Sequence, residues 1–141
     1  MKPSFHGNLV LAFSFMGRAR RNALSSALSK YNFPVPMYDI AMYVDRHPGS
    51  SQDSIVEMTL YDKATIARDA QKLEEGGFLI RKNSERDRRQ YELYLTEEGK
   101  ALAQDAKNAA LAWQSRITEG FTPEERELAL RLIQRMADNM E

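Results

Sequence analysis

After Gly76-Gly77 the apolar residues of this chain change their period. Upstream they recur every three or four residues, as in a helix with one buried face. From Phe78 to Asn83 and from Gln90 to Leu95 they alternate every second residue, the spacing of a half-buried strand. In the second segment Tyr91, Leu93 and Leu95 share one face, with Glu92 and Tyr94 on the other. Between the segments lies Ser84-Glu85-Arg86-Asp87-Arg88-Arg89. The spacing predicts a hairpin with a charged tip.

Helices are predicted on both sides of it. From Ser4 to about Tyr31, the positions Phe5, Leu9, Ala12, Phe13, Met16, Ala19, Ala23, Ala27, Leu28 and Tyr31 mark one face of a long amphipathic helix. Pro36 suits the first turn of a second helix, whose stripe is Ile40, Tyr43 and Val44 and which Pro48-Gly49 stops after His47. Ser50 or Ser51 caps a short third helix carrying Ile55, Val56 and Met58, and Asp62 caps a fourth carrying Ile66, Ala70 and Leu73. Gly76-Gly77 ends it. Beyond the hairpin, Thr96 caps a helix with the stripe Leu102, Ala106, Ala109, Trp113 and Ile117. A final helix opens at Thr122-Pro123-Glu124-Glu125, a capping box with proline at the first helical position, and carries Leu128, Leu132, Met136 and Met140.

Composition removes several classes of function. With 141 residues, one domain with a single core is expected. Such a domain buries roughly 68–70% of the surface of its unfolded chain. The absence of cysteine excludes disulfides, Cys-based zinc sites and thiol nucleophiles, and fits a reducing, cytoplasmic setting. Leu9 to Met16 is too short for a membrane helix, which needs ~20 residues. Arg18, Arg20 and Arg21 stand where a secretory leader would need a small-residue cleavage site. No membrane partner is expected. His6 and His47 lack a His, Asp or Glu at i+3 or i+4, so neither suggests a metal pair, and His47 suits a helix C-terminus. Trp113 and the Phe and Met stripes read as core or dimer interface. Nucleophile elbow, phosphate-binding Gly loop and supported carboxylate pair are all missing, so neither an enzyme nor a cofactor is expected.

The charges need reading by region. Twenty basic and twenty acidic residues cancel, which taken alone argues against a nucleic-acid partner. Yet residues 1–36 carry +5, the hairpin region 78–96 carries +2, and 97–141 carries −3. Within Arg81 to Arg89 the local charge is +3, from Arg81, Lys82, Arg86, Arg88 and Arg89 against Glu85 and Asp87. Two short helices followed by a two-stranded hairpin with a cationic tip form a winged helix-turn-helix pattern. A helix of that kind enters the major groove, and the hairpin tracks the backbone toward the minor groove.

Several residues keep a plainer reading beside this one. Glu85 to Arg89 also fits a solvated loop, although its place at a hairpin tip favours DNA. Lys63, Thr65 and Arg68 also fit an ordinary exposed helix face, where Arg68 would pair with Asp69 or Glu74. The cluster Arg18-Ala19-Arg20-Arg21 fits a solvated face, a flanking DNA contact or an anion partner in a pocket.

The ordered segments Asp62-Lys63-Ala64-Thr65-Ile66-Ala67-Arg68, Leu73-Glu74-Glu75-Gly76-Gly77-Phe78-Leu79-Ile80-Arg81, Asp87-Arg88-Arg89 and Leu95-Thr96-Glu97-Glu98-Gly99-Lys100, preceded by His47-Pro48-Gly49, resemble the MarR family of bacterial transcription regulators. The resemblance implies a mainly α fold with a small β-hairpin. Residues 1–141 would form one unit, with a winged helix-turn-helix domain over about 36–96 and dimerisation helices at about 4–31 and 97–141. It implies a homodimeric, sequence-specific DNA-binding regulator, a repressor on a pseudo-palindromic operator, modulated by a small aromatic or anionic effector. The alternative is a winged-helix protein-interaction module without specific DNA binding. Residue by residue, it places Lys63, Thr65 and Arg68 at the major groove, and Arg89 in the minor groove with Asp87 holding it. The charged tip adds Arg86 and Arg88, and Ser51 and Gln52 at a helix N-terminus are expected to meet phosphate. By position, Phe13, Met16, Arg20, Tyr38 and Met42 line the family's effector cleft or serve equally well as plain core. Ala64 and Ala67 depart from the hydroxyl residues frequent in the family, and Leu60 stands where the inter-helix turn often carries glycine.

Overall fold

Residues 4–8 do not join the first helix. In the computed structural model, which describes all 141 residues, His6 and Gly7 take left-handed φ values of 48° and 76°. Asn8 then caps α1 (Leu9–Ala27), its Oδ1 accepting from the Leu11 N–H at 3.0 Å. The helix stops four residues short of Tyr31, and Asn32, with φ 54°, turns the chain. α2 (Val35–Arg46) keeps Pro36 in its first turn, where no helical N–H is required. Ser51, rather than Ser50, caps α3 (Gln52–Thr59), and Asp62 caps α4 (Lys63–Glu75) by accepting from the Thr65 N–H at 2.7 Å. The hairpin pairs β1 (Leu79–Asn83) with β2 (Tyr91–Leu95) in antiparallel register, Leu79 opposite Leu95 and Asn83 opposite Tyr91. α5 (Glu97–Ile117) follows the Thr96 cap, and α6 (Pro123–Asp138) has the expected capping box.

Leu60 settles the turn between α3 and α4. It takes the left-handed conformation that glycine would take freely, with φ 59°. For a residue with a Cβ that conformation costs roughly 1–2 kcal/mol. The sharp turn is therefore kept despite the departure from glycine.

One apolar cluster fills the centre. Leu24 and Leu28 from the end of α1, Tyr38, Ile40 and Val44 from α2, Ile55, Ile66 and Leu73 from α3 and α4, Leu93 from β2, and Leu102 and Ala106 from α5 are all buried in it. α6 contributes nothing: none of its residues is buried. The expectation of ordinary monomer-like burial is therefore corrected. The chain exposes 10320 Å², whereas a compact 16.2 kDa monomer exposes roughly 7,500 Å².

The wing is seated on this core by main-chain bonds. The Gly49 N–H donates to the Leu93 carbonyl at 2.8 Å, and the Leu93 N–H to the Ser50 carbonyl at 2.9 Å. At its base, the Thr96 N–H donates to the Phe78 carbonyl at 3.1 Å and the Thr96 hydroxyl to the Gly77 carbonyl at 2.6 Å. That leaves no room at Gly99 in the first turn of α5, where a Cβ would stand 2.0 Å from the Phe78 carbonyl oxygen. Alanine in a helix normally gains about 1 kcal/mol over glycine. Here Gly99→Ala is expected to lose about 2 kcal/mol or more, through overpacking against backbone. Thermal denaturation checks the sign, and a midpoint at or above wild type would show that α5 can shift to accept the methyl group.

Candidate nucleic-acid interface

α4 divides its residues between core and solvent. Ile66, Ala70 and Leu73 are buried, Lys63, Ala64 and Arg68 are exposed, and Thr65 is half-buried. Lys63, Thr65 and Arg68 thus occupy the start and outer face of the second helix of the turn. Of the two carboxylates open to Arg68, it takes Asp69, with Nε 3.4 Å from Oδ1, and its side chain stays 59% exposed. Asp69 itself is fully buried, and its Oδ2 has no hydrogen-bond partner. Nothing in the sequence pattern distinguishes this buried acid from the solvated charges beside it.

The wing tip is ordered by short side chains acting on the main chain. Ser84 Oγ accepts from the N–H groups of Arg86 and Asp87 at 3.2 and 3.3 Å, and Asp87 Oδ1 accepts from the Arg89 N–H at 3.0 Å. Asp87 thus holds Arg89 through the main chain rather than through the guanidinium. It fixes the Arg89 backbone, leaving the guanidinium free to meet a partner. Arg86, Arg88 and Arg89 are all exposed. Arg89 also lines a hollow of about 110 Å³ with Ser51, Gln52, Asp53, Gln90 and Tyr91, so the N-terminus of α3 and the end of the tip face one another. Ser51 Oγ accepts from the Ser54 N–H at 3.1 Å, which commits a lone pair to the cap while its own O–H remains a donor. Arg81, counted among the wing cations by sequence, is drawn inward to Glu74 and Gln52.

The five residues placed at an effector cleft do not share one. Tyr38 is core: it is fully buried, its hydroxyl donates to the Leu28 carbonyl at 3.2 Å and accepts from the Phe33 N–H at 3.1 Å. Phe13 is exposed on α1 and Met16 is half-buried. Met42 borders a cleft of about 180 Å³ with Asp45, Arg46, Ala103 and Lys107. Arg20 borders a separate cleft of about 500 Å³ with Arg21, Ser25, Pro34, Pro36 and Tyr61. Arg20 Nη2 lies 2.5 Å from Asp39 Oδ1, and the Tyr61 hydroxyl donates to Asp39 Oδ2 at 2.7 Å. Three elements meet there: α1, α2 and the turn before α4. Arg20 forms an internal ion pair, which none of the readings given for the Arg18–Arg21 cluster included, while Arg18 and Arg21 are exposed. Asp39 and Tyr61 went unmarked by sequence because they lie 19 and 41 positions from Arg20 and belong to no motif.

Residues 31–90, from the end of the first helical region through the wing tip, match the MarR family. The HTH-type transcriptional regulator YybA of Bacillus subtilis is 30% identical over 105 residues, which cover 74% of this chain and 69% of that protein. The chain belongs to the MarR family. The crystal structure of MarR superposes on this family member with a TM-score of 0.84 at 26% identity, covering 99% of this chain and 95% of that one. A MarR family regulator from Listeria monocytogenes, solved in complex with 26mer DNA, superposes with a TM-score of 0.88 at 18% identity, over 99% and 90% of the two chains. This MarR-family chain is thus a transcriptional regulator rather than an enzyme, built on six helices and a two-stranded hairpin. None of those helices is long and apolar enough to cross a membrane.

The Asp39 cluster gives this MarR regulator an alkaline signature. Burial, reinforced by the hydrogen bond and charge of Asp39, pushes the Tyr61 hydroxyl from 10.0 to about 12. A raised folded value means that the native state holds a proton the unfolded chain releases, so stability falls as pH rises from 10.0 to about 12. Tyr61→Phe lacks that group, and its stability is expected to fall less steeply over the same window. Denaturant unfolding at stepped pH measures both slopes; equal slopes would mean that Tyr61 ionises as freely in the fold as outside it.

Proposed function

We propose that this chain is a homodimeric repressor that binds a pseudo-palindromic operator and is released by a small anionic effector. The carrying observation is that the cations of the recognition pattern all stand in solvent, Lys63 and Arg68 on the outer face of α4 and Arg86, Arg88 and Arg89 at the wing tip. Arg suits both expected contacts. Its planar fork matches guanine O6 and N7 in the major groove, and its charge is drawn to the negative potential of a narrow minor groove. Ala64, exposed on the same helix, offers a methyl group suited to thymine. Ser51 and Gln52 add donors for phosphate at the start of α3.

Dimerisation is supported by what the chain leaves uncovered. Leu128, Leu132, Ile133 and Met136 of α6 and Leu9, Leu11, Phe13 and Phe15 of α1 are exposed apolar side chains. A second copy would cover them, and obligate interfaces of 2,000–5,000 Å² or more, roughly the scale of the excess surface, are ordinary. Two α4 helices would then enter successive major grooves about 34 Å apart. Elution as a 16.2 kDa monomer in sizing chromatography would overturn this geometry.

The effector reading rests on Arg20. An anion seated in the Arg20 cleft would compete with Asp39 for the guanidinium, and Asp39 also holds Tyr61 in the turn that leads into α4. Tenfold control of operator affinity needs only about 1.4 kcal/mol of differential binding. Aromatic carboxylic acids titrated into the protein–operator complex are the direct probe.

Arg89→Ala tests the DNA reading itself. It is expected to weaken operator binding at least tenfold and to reduce the slope of log K against log salt by about 0.9, one phosphate's share. Gel-shift titration at several salt concentrations reads both quantities. Undiminished affinity would remove Arg89 from the interface.

A further inference from the structure

We propose that Arg81 is a positioning residue for DNA binding, a brace that fixes the wing against the helix-turn-helix and sets the orientation of the Gln52 amide. The inference rests on the DNA-binding reading above and concerns how the parts of that surface are held in register.

Arg81 belongs to the basic wing by sequence but not by geometry. Its side chain is only 18% exposed, whereas Lys82, Arg86, Arg88 and Arg89 all lie in solvent. From the middle of β1, its Nε donates to Glu74 Oε2 at 3.0 Å, in the last turn of α4. Its Nη1 donates to Gln52 Oε1 at 3.2 Å, at the first residue of α3, and its guanidinium carbon stands 5.3 Å from the centre of the Tyr91 ring on β2. One planar fork therefore joins both strands of the wing to both helices of the turn. In the strand ladder Arg81 lies opposite Leu93, the residue whose main chain is bonded to Gly49 and Ser50. The same rung is thus held from β2 by backbone and from β1 by Arg81. The hairpin beyond it, up to the cationic tip, projects from that rung as a lever.

Donor chemistry fixes Gln52. Arginine carries only donors, so the glutamine must turn its carbonyl oxygen to Arg81. Its Nε2 makes no hydrogen bond within the chain and remains available to the hollow shared with Ser51, Asp53 and Arg89. Asp53 repels a phosphate at that hollow, so an attractive contact there depends on the Gln52 amide and Arg89 presenting their donors together. Arg81 itself adds little to phosphate attraction, because Glu74 already balances its charge.

The test uses duplexes enriched from a random pool by the wild-type protein and titrated at several salt concentrations. Arg81→Met, of similar length and without donors, is expected to weaken binding tenfold or more at every salt concentration while the salt slope stays at the wild-type value. Gln52→Ala is expected to cost less in the Arg81→Met background than in the wild type, because the amide is already released. A slope lower by about 0.9 would make Arg81 a phosphate contact and overturn the brace. Unchanged affinity would overturn it too, as would a loss no larger than the unfolded fraction seen by thermal denaturation of the same sample. Strictly additive losses would overturn the link to Gln52. A wild type that enriches no duplex removes the DNA-binding reading, and the brace with it; a wild type that binds no better than Arg81→Met removes the brace alone.

Discussion

The winged part and the long helices share one core, and the rest of the molecule depends on that sharing. Ile40, Ala41 and Val44 of α2 lie in the same apolar cluster as Ile66 and Leu73 of α4, Leu93 of the wing, and Leu102, Ala103 and Ala106 of α5. Small side chains at Ala41, Ala103 and Ala106 let helix backbones come close, and close-packed interiors pass displacement on rather than absorb it. No seam of solvent separates a reading head from a dimerisation stem. In the proposed dimer, a change in how α1 and α5 sit against a partner would be passed toward α4 through this shared core. α6 stands outside this arrangement, and its exposed apolar side chains, with those of α1, are what the proposed second copy would cover.

Charge follows the same division of labour. The net charge of zero conceals cations of two kinds. Arg20, Arg68 and Arg81 are paired within the chain, to Asp39, Asp69 and Glu74. Arg86, Arg88 and Arg89 carry no ion pair and crowd a tip where they outnumber the acidic residues Glu85 and Asp87, of which Asp87 accepts from the Arg89 N–H. In the proposed DNA reading, the unpaired cations of the tip supply the local field that steers toward phosphate, while the neutral sum limits indiscriminate attachment. A count by sequence window cannot make that distinction, since it assigns Arg81 and Arg89 the same weight.

The elements themselves were legible because local signals agreed. Capping side chains at Asp62, Thr96 and Thr122, the proline in the first turn of α6 and the change of period after Gly77 each point to one boundary, and the structure has those boundaries, while at α3 it chooses Ser51 from the two serines the sequence offers. The start of α1 was misread because Phe5 continues the helical stripe while His6 and Gly7 break the backbone, a conformational fact that periodicity does not carry. Gly99 is marked by resemblance alone; its cause, the Phe78 carbonyl against the first turn of α5, is a contact between residues 21 positions apart. The effector residues were the weakest reading for a related reason. Apolar stripes report that a face is covered without reporting by what, so Tyr38, whose hydroxyl is fully satisfied in the core, and Met42, at the rim of a cleft, look alike in one dimension.

Arg20, Asp39 and Tyr61 show how such a fold can be both stable and responsive. A partly buried ion pair gains little over a well-packed apolar contact, because desolvation consumes most of the attraction, yet losing one partner strands the other charge at high cost. Asp39, with Arg20 forked across both oxygens and the Tyr61 hydroxyl also on Oδ2, therefore has one satisfied arrangement and few tolerable departures from it. In the proposed effector reading an incoming anion would not strand Arg20; it would take the place of Asp39, which would turn to water. Each arrangement would leave both charges paired or hydrated, while an intermediate with an unpaired buried charge is costly. That is the condition for a switch between two positions of the turn rather than a graded softening of it, and Leu60, strained at that same turn with φ 59°, adds a local reason for the chain to yield there.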